Sequence, residues 1–214
     1  MNKSRTSHER TGFISILLMT VLCACGARQS QTSIQLDNAV DNPLSFTAVD
    51  VHERTVEVGS QADYITLLFF NGEETSDAMQ PITANIAIHF YTSRALRFVN
   101  VSDMRSIAFW KRPFVAGAMQ DAGARTIRRI NRRLNQEGLA PLEGLHDHLF
   151  LINDQEGLIT DSYPIPDPNE TISAFVFHPG GEVSGPYDPE NDLAALILEV
   201  EHVLQDIEAE EPQM

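Results

Sequence analysis

The chain of 214 residues holds only two cysteines, and both fall within its first 25 positions, as Cys23 and Cys25. Two thiols cannot build a disulfide-dense scaffold or a four-cysteine zinc site. Basic residues are also scarce, 15 against 30 Asp and Glu, and none follows Arg133. A formal charge of −15 argues against nucleic acid as a partner, because binding it requires cations that replace phosphate counterions. No apolar run reaches the roughly 20 residues of a comfortable transmembrane helix. No Walker or Rossmann glycine loop and no G-x-S-x-G setting occurs, so no nucleotide cofactor or hydrolase serine is indicated. The hydrophobic fraction of 43% is that of an ordinary folded protein and excludes global disorder.

At the start of the chain, Lys3, Arg5 and Arg10 precede the apolar run Phe13–Leu22, which meets Cys23-Ala24-Cys25-Gly26. A basic start, a short apolar stretch and small residues before a break form a signal peptide. Leu22-Cys23-Ala24-Cys25 resembles the bacterial lipobox. That resemblance implies cleavage before Cys25, a diacylglycerol thioether on its sulfur and acylation of the new amine. Two or three acyl chains anchor a protein stably, whereas one does not. The expected plan is a signal peptide at 1–24, a lipidated tether at 25–42, a domain at 43–209 and an acidic tail at 210–214. Such a mature chain has no free thiol, which excludes thiol redox chemistry and a cysteine nucleophile. Gly26, in place of the aspartate that retains many lipoproteins at the inner membrane, favours the outer membrane and a domain facing the periplasm.

Loss of the signal peptide takes the formal charge to −17, and ten of the twelve remaining bases lie between Arg94 and Arg133. Eighteen acids and no base follow them. The plainer account places the basic middle and the acidic C-terminal portion side by side, so that they partly neutralise. The sharper one makes the basic stretch a face for anionic lipid or glycan.

Leu44–Val49 and Arg54–Val58 alternate as half-buried strands, with Val51-His52-Glu53 as their turn. Tyr64–Phe70 is a continuous apolar run, as expected of a central strand buried on both faces. After Asn71-Gly72, Thr75 or Ser76 can cap a helix over 77–91 that contains Pro81. Leu96–Val101 reads as a strand, 103–118 has no clear pattern, and 119–136 forms a helix with Ala124, Ile127, Ile130 and Leu134 on one stripe. Two hairpins are expected next, His148–Ile152 with Leu158–Thr160 and Ile172–Phe177 with Glu182–Ser184, separated by the proline-rich link 163–168. An amphipathic helix from about Asp188 to Glu208 closes the pattern, with Leu193, Leu196, Ile197, Val200, Val203, Leu204 and Ile207 inward.

This order resembles a thioredoxin-like fold, in the layout of TlpA-type proteins, peroxiredoxins and YtfJ-type proteins. The likeness rests on Pro43–Val58 as the N-terminal hairpin, on Ile65–Phe70 as the strand that delivers the active-site loop, and on Phe175–Val183 as the late hairpin. The doubled hairpin, at Phe150 and at Phe175, is most similar to the YtfJ-type layout. The fold so implied is an α/β three-layer sandwich with a central mixed sheet, an N-terminal hairpin and a C-terminal amphipathic helix. The family's two redox cysteines would fall just after Phe70. One register places Glu74 and Asp77 in those slots and the other Glu73 and Ser76. The family's cis-proline would fall near Ile172, where there is none. The resemblance therefore implies a redox-dead member to which no catalytic residue carries over and which needs no cofactor.

Other chemistry has weaker support. His146 and His148 would share one face of a strand, and His178 would join them if the two hairpin turns met, but a metal site needs three or four ligands. Glu73, Glu74 and Asp77 could do acid–base work, or simply complement a helix dipole. Asp188, Glu190, Asn191 and Asp192 fit no EF-hand spacing and are better read as a helix cap. Arg125, Arg128, Arg129, Arg132 and Arg133 project from the 119–136 helix as an anion-binding candidate, against the plainer account of a solvated face paired with the protein's own acids. The expected function is a lipid-anchored envelope protein with a membrane contact through its lipid and a protein partner. The alternative is an envelope hydrolase or metal-dependent enzyme using the acids after Phe70 or the histidine pair.

Overall fold

The computed structural model describes residues 35–36, 44–59, 64–93 and 95–210, so the expected signal peptide, Cys25, nearly all of the tether and the last four residues lie outside it. Three short antiparallel strands come first: β1 (Gln35–Leu36), β2 (Phe46–Val49) and β3 (Thr55–Val58). Part of the expected tether is thus a strand. In β2 and β3, Phe46, Ala48, Val56 and Val58 point inward, as period-two alternation requires. The β2–β3 turn is closed by Asp50, whose carboxylate accepts from the His52 and Arg54 amides and pairs with the Arg54 guanidinium.

The main sheet is built on β4 (Ile65–Asn71), whose seven residues are all buried. Helix α1 (Ser76–His89), strand β5 (Leu96–Asp103), helix α2 (Arg112–Gln136), the single turn α3 (Leu145–His148) and strand β6 (Leu149–Asp154) follow. Strands β7 (Ser173–Phe177) and β8 (Val183–Tyr187) and helix α4 (Leu193–Glu210) complete the chain. The sheet order is β6-β5-β4-β7-β8, with β4, β5 and β6 parallel, β7 antiparallel to β4 and β8 antiparallel to β7. Alternate side chains of the central strands feed two cores. Leu67, Phe69, Phe98 and Val176 meet α1, α2 and α4 on one face. Leu68, Phe70, Val99, Val101 and Phe175 meet the β2–β3 hairpin, Ile159 and Tyr163 on the other. These are the three layers of the expected thioredoxin-like α/β sandwich, with its mixed sheet, N-terminal hairpin and C-terminal helix.

Three expectations are corrected. The unassigned 103–118 stretch contains the start of α2, seven residues before the expected 119, with Pro113 in its first turn, where a missing amide costs nothing. The first of the two late hairpins does not form. Asp154 accepts from the Thr160 amide at 2.8 Å and the Thr160 hydroxyl at 2.9 Å, and Gly157 takes a φ of 74°. Those local bonds turn the chain into a 3₁₀ turn at Thr160–Ser162 instead of a returning strand. The doubled-hairpin likeness to the YtfJ-type layout fails with it. Thr75 occupies the α1 N-cap position but makes no capping bond, because its hydroxyl is engaged elsewhere. Before α4, by contrast, Asp188 accepts from the Glu190 and Asn191 amides and Asp192 from the Ala195 amide.

Burial raises the Asp154 carboxyl above the ordinary aspartate range, the two Thr160 bonds oppose this, and the charge of Asp103 adds to it. A carboxyl whose folded pKa lies above its unfolded one loses its contribution to stability as pH rises through the folded value. Asparagine at 154 keeps an acceptor for Thr160 and removes the charge. The stability difference between Asp154→Asn and the native protein, followed by thermal unfolding, is expected to grow in the variant's favour as pH rises from the aspartate range. Parallel curves would show that this carboxyl ionises without penalty. Asp154→Ala strands both Thr160 donors and is expected to cost about 1–3 kcal/mol.

Candidate functional site

In open α/β sheets ligands gather outside the carboxyl ends of the strands. The parallel register of β4, β5 and β6 places Asn71 beside Ser102 and Asp103 beside Asp154 at that end, all of them buried. The loop leaving β4 is pinned from across the sheet. The Gly72 amide donates to the Pro168 carbonyl at 2.8 Å, and the Thr75 hydroxyl donates to the same carbonyl at 2.6 Å. Asn169 Oδ1 accepts from the Glu73 amide and the Ser106 hydroxyl, each at 3.1 Å, so one side chain joins the loops after β4 and β5 to the segment before β7. Residues 168–169 thus close the site where the thioredoxin-like pattern would have a cis-proline near Ile172. The cis peptide bond among the described residues is Gly185–Pro186, within β8.

Glu73, Glu74, Ser76 and Asp77, where the resemblance would place two cysteines in one register or the other, are all exposed. Ser76 donates to the Glu73 carbonyl at 2.8 Å, and Glu73 lies 3.6 Å from Lys111 Nζ. None of these acids has the burial that acid–base catalysis exploits. Beside them opens a cleft of about 590 Å³ lined by Asp103, Arg105, Ser106, Asp161, Asp167 and Asn169 among others. Its guanidinium is already spent, since Arg105 pairs with Asp103 at 2.6 Å and Asp161 at 2.7 Å. Burial pushes the Asp103 carboxyl up, but the hydrogen bonds and charge of Arg105 outweigh it and hold the group below its ordinary value. Asp103, Arg105, Asp154 and Asn169 were not among the residues singled out in the sequence. The available signal was a polar pair ending each apolar strand, Ser102-Asp103 and Asn153-Asp154.

The histidines do not converge. His146 and His148 sit on the single turn α3, not on a strand; His146 pairs with Asp147 at 3.0 Å and His148 contacts the Tyr64 ring edge-on. His178, after β7, bonds to Ser184 at 3.1 Å and Glu199 at 3.2 Å. Strands β5 and β4 lie between β6 and β7, so three strand spacings, about 14 Å, keep the two turns apart. Among the described residues no three potential ligands are grouped for a metal.

The arginines of α2 also depart from the plainer account. Arg133 pairs with Glu137 at 3.3 Å and donates to Asn85 at 3.1 Å. Arg125, Arg128, Arg129 and Arg132 are exposed and have no ion-pair partner among the described residues. The acidic C-terminal helix is not beside them: α2 packs on α1 and β6, while α4 packs on β7 and β8. The expected mutual neutralisation of the two segments is therefore partial: Arg105 pairs with Asp161 and Arg133 with Glu137, while the other arginines of α2 are kept from the acids of α4 by α1, which is tied to α4 by His89 and Glu201 at 2.8 Å.

No protein-family model matches the chain, and no curated protein does. Among solved structures it is similar to a secreted Mycobacterium tuberculosis disulfide oxidoreductase homologous to Escherichia coli DsbE, at 16% identity, a TM-score of 0.46, and coverage of 73% of this chain and 97% of that one. It is also similar to a thioredoxin-family thiol:disulfide interchange protein from Chlorobium tepidum, at 14% identity, a TM-score of 0.43 and coverage of 72% and 92%. A third is the pneumococcal exposed lipoprotein thioredoxin of Streptococcus pneumoniae, at 10% identity, a TM-score of 0.44 and coverage of 72% and 98%.

A methyl group at Gly72 would lie 2.2 Å from Asn169 Oδ1 and 2.9 Å from the Asn169 amide nitrogen. Gly72→Ala is expected to displace Asn169 and lower stability by about 1–3 kcal/mol, read by chemical denaturation. In an Asn169→Ala background the added cost of Gly72→Ala should shrink but not vanish, since the backbone contact remains. Equal costs in both backgrounds would mean that Asn169 is not what the loop rests on.

Proposed function

We propose that this chain is a lipid-anchored protein of the bacterial cell envelope, held at the outer membrane through Cys25, whose thioredoxin-like domain is a thiol-free binding module and not a disulfide oxidoreductase. The observation that carries this reading is the placement of the cysteines. Both belong to the signal and lipobox segment, and the loop after β4 and the start of α1 carry Glu73, Glu74, Ser76 and Asp77 in the slots where a redox pair would stand. A disulfide exchange begins with a thiolate that attacks a sulfur, and an oxygen nucleophile does not replace it. The pinned loop supports the reading further. The amides of Gly72 and Glu73 are consumed by Pro168 and Asn169, which makes the surface at the carboxyl ends of the strands a rigid one. Rigid surfaces suit recognition, because little ordering entropy is lost when a partner docks. The partner expected is another envelope protein, met on the exposed acids and the polar cleft beside them. Among the described residues no helix is long and apolar enough to cross a membrane, and the attachment proposed is the lipid on Cys25.

Two measurements test this. Cells fed labelled palmitate are expected to label the native chain and leave Cys25→Ser unlabelled; equal labelling would remove the anchor. The purified protein is expected to add nothing to the reduction of insulin disulfides or hydrogen peroxide by dithiothreitol alone. Turnover above the dithiothreitol background would refute the thiol-free reading.

A further inference from the structure

Phe109, Trp110 and Phe114 are 82%, 70% and 74% exposed, although three neighbouring aromatic rings left in water are costly. They belong to none of the clefts described above. They mark the turn into α2 and the first turn of that helix, with Lys111 between them 5.7 Å from the Trp110 ring centre. Phe114 opens a helical face that continues, at spacings of three and four residues, through Ala118, Asp121, Arg125, Arg128 and Arg132, all exposed. The helix, roughly 37 Å long, therefore presents an apolar aromatic end and, further along the same side, a cluster of arginines spanning about 10 Å that no acid of the described protein answers. Residues 105–133 hold eight Lys and Arg against the single acid Asp121, in a chain whose formal charge is −15. Glu73 reaches this end of the helix, 3.6 Å from Lys111 Nζ.

We infer that this face of α2 is a membrane-docking surface, on which Phe109, Trp110 and Phe114 enter the interface of a bilayer containing anionic phospholipid while Arg125, Arg128, Arg129 and Arg132 meet its headgroups. Three physical points select a bilayer. Aromatic rings beside Lys and Arg are the composition of interfacial anchors, since the rings need an apolar phase and the cations an anionic rim. The patch is the side of one helix and lines none of the clefts described above, so it suits a planar surface better than an inserted peptide. The sign of the charge is opposite to that of the rest of the chain, so an anionic surface attracts this side and repels the others, which fixes the domain's orientation. The inference rests on the lipid-anchored reading only for bringing the domain to the membrane. From Cys25 to Gln35 the chain spans ten residues, which reach at most about 36 Å, so the anchor holds the start of the described domain within that distance of the surface.

Trp110 is the only tryptophan, so the native chain carries its own probe. The full protein, purified from membranes, is reconstituted with vesicles of phosphatidylcholine alone or mixed with phosphatidylglycerol. Flotation with the vesicles scores the anchor, and Trp110 fluorescence scores the docking, so the two readings fail separately. On phosphatidylglycerol vesicles Trp110 is expected to shift to the blue, to be quenched by brominated acyl chains and to lose acrylamide quenching severalfold. Without its lipid the chain should show the same response at higher lipid concentration. Phe109→Ser with Phe114→Ser is expected to weaken the response about tenfold. Replacing Arg125, Arg128, Arg129 and Arg132 by Gln should reduce the preference for phosphatidylglycerol by about fivefold per arginine in contact, and the fold should survive, since all four are exposed and unpaired. A Trp110 that stays open to acrylamide on anionic vesicles overturns the proposal. So does a Trp110 shielded only when soluble envelope proteins are added, which would make the same face a protein interface.

Discussion

Strand β4 has no exposed residue, and the remaining architecture follows from covering both its faces at once. A run of Ile, Leu and Phe with no polar alternation cannot lie at a sheet surface, so it takes the centre and recruits a layer on each side. The β2–β3 hairpin and Tyr163 cover one face, and the helices cover the other. Because β5 and β6 run parallel to β4, all three release their last polar residues at the same end. The juxtaposition of Asn71, Ser102, Asp103 and Asp154 is thus a by-product of how β4 is buried, and so is the segment 167–169 that folds over it.

How much of this could be read beforehand depended on whether the deciding contact was local. The strand Tyr64–Phe70, the stripe of α4 and the hairpin at 172–184 announced themselves through periodicity over a single window. The segment after β6 did not. Leu158-Ile159-Thr160 has the composition of a strand, and only the Asp154–Thr160 bonds, six residues apart, make it a turn. The early start of α2 was hidden because Phe109, Trp110 and Phe114 break the rule that large apolar residues point inward. The acids and Ser76 after Phe70 were found in the sequence by position, and the structure leaves them exposed at the sheet end where the loop expected to carry function lies. Asn169 had no such signal, since its partners Glu73 and Ser106 lie 96 and 63 residues away.

The same geometry separates two questions that a thioredoxin-like outline tends to merge. Position is retained: a buried strand still delivers a loop to the carboxyl end of the sheet. Chemistry is the second question, and here the delivered side chains are carboxylates and hydroxyls in water, while the nearby guanidinium of Arg105 is already satisfied by two aspartates. Burial and pairing in this region serve to hold three loops together. Asp103 keeps its charge because Arg105 compensates it, while Asp154 faces the penalty of burial with only neutral donors. Two aspartates on adjacent strands are thus set apart by their partners alone, in an arrangement that ties loops together.

The layer order also decides what the net charge means. Over the sheet the helices run α2, α1, α4, following the strands they pack on. Packed helices lie about 8–10 Å apart, so the arginines of α2 and the acids of α4 are separated by roughly 20 Å, counted axis to axis. At physiological ionic strength charges are screened over about 8 Å. The acids of α4 therefore cannot quiet the arginines of α2, however many of them the composition contains. A chain that is acidic on average keeps one basic side, and that side ends in exposed aromatic rings. Neutralisation of these arginines by α4 would have required α4 to replace α1 as the neighbour of α2, which the right-handed connection of parallel strands β4 and β5 through α1 disfavours. The polarity of this protein is consequently a property of its topology, and surface substitution can alter its size but not its direction without changing the order of the sheet.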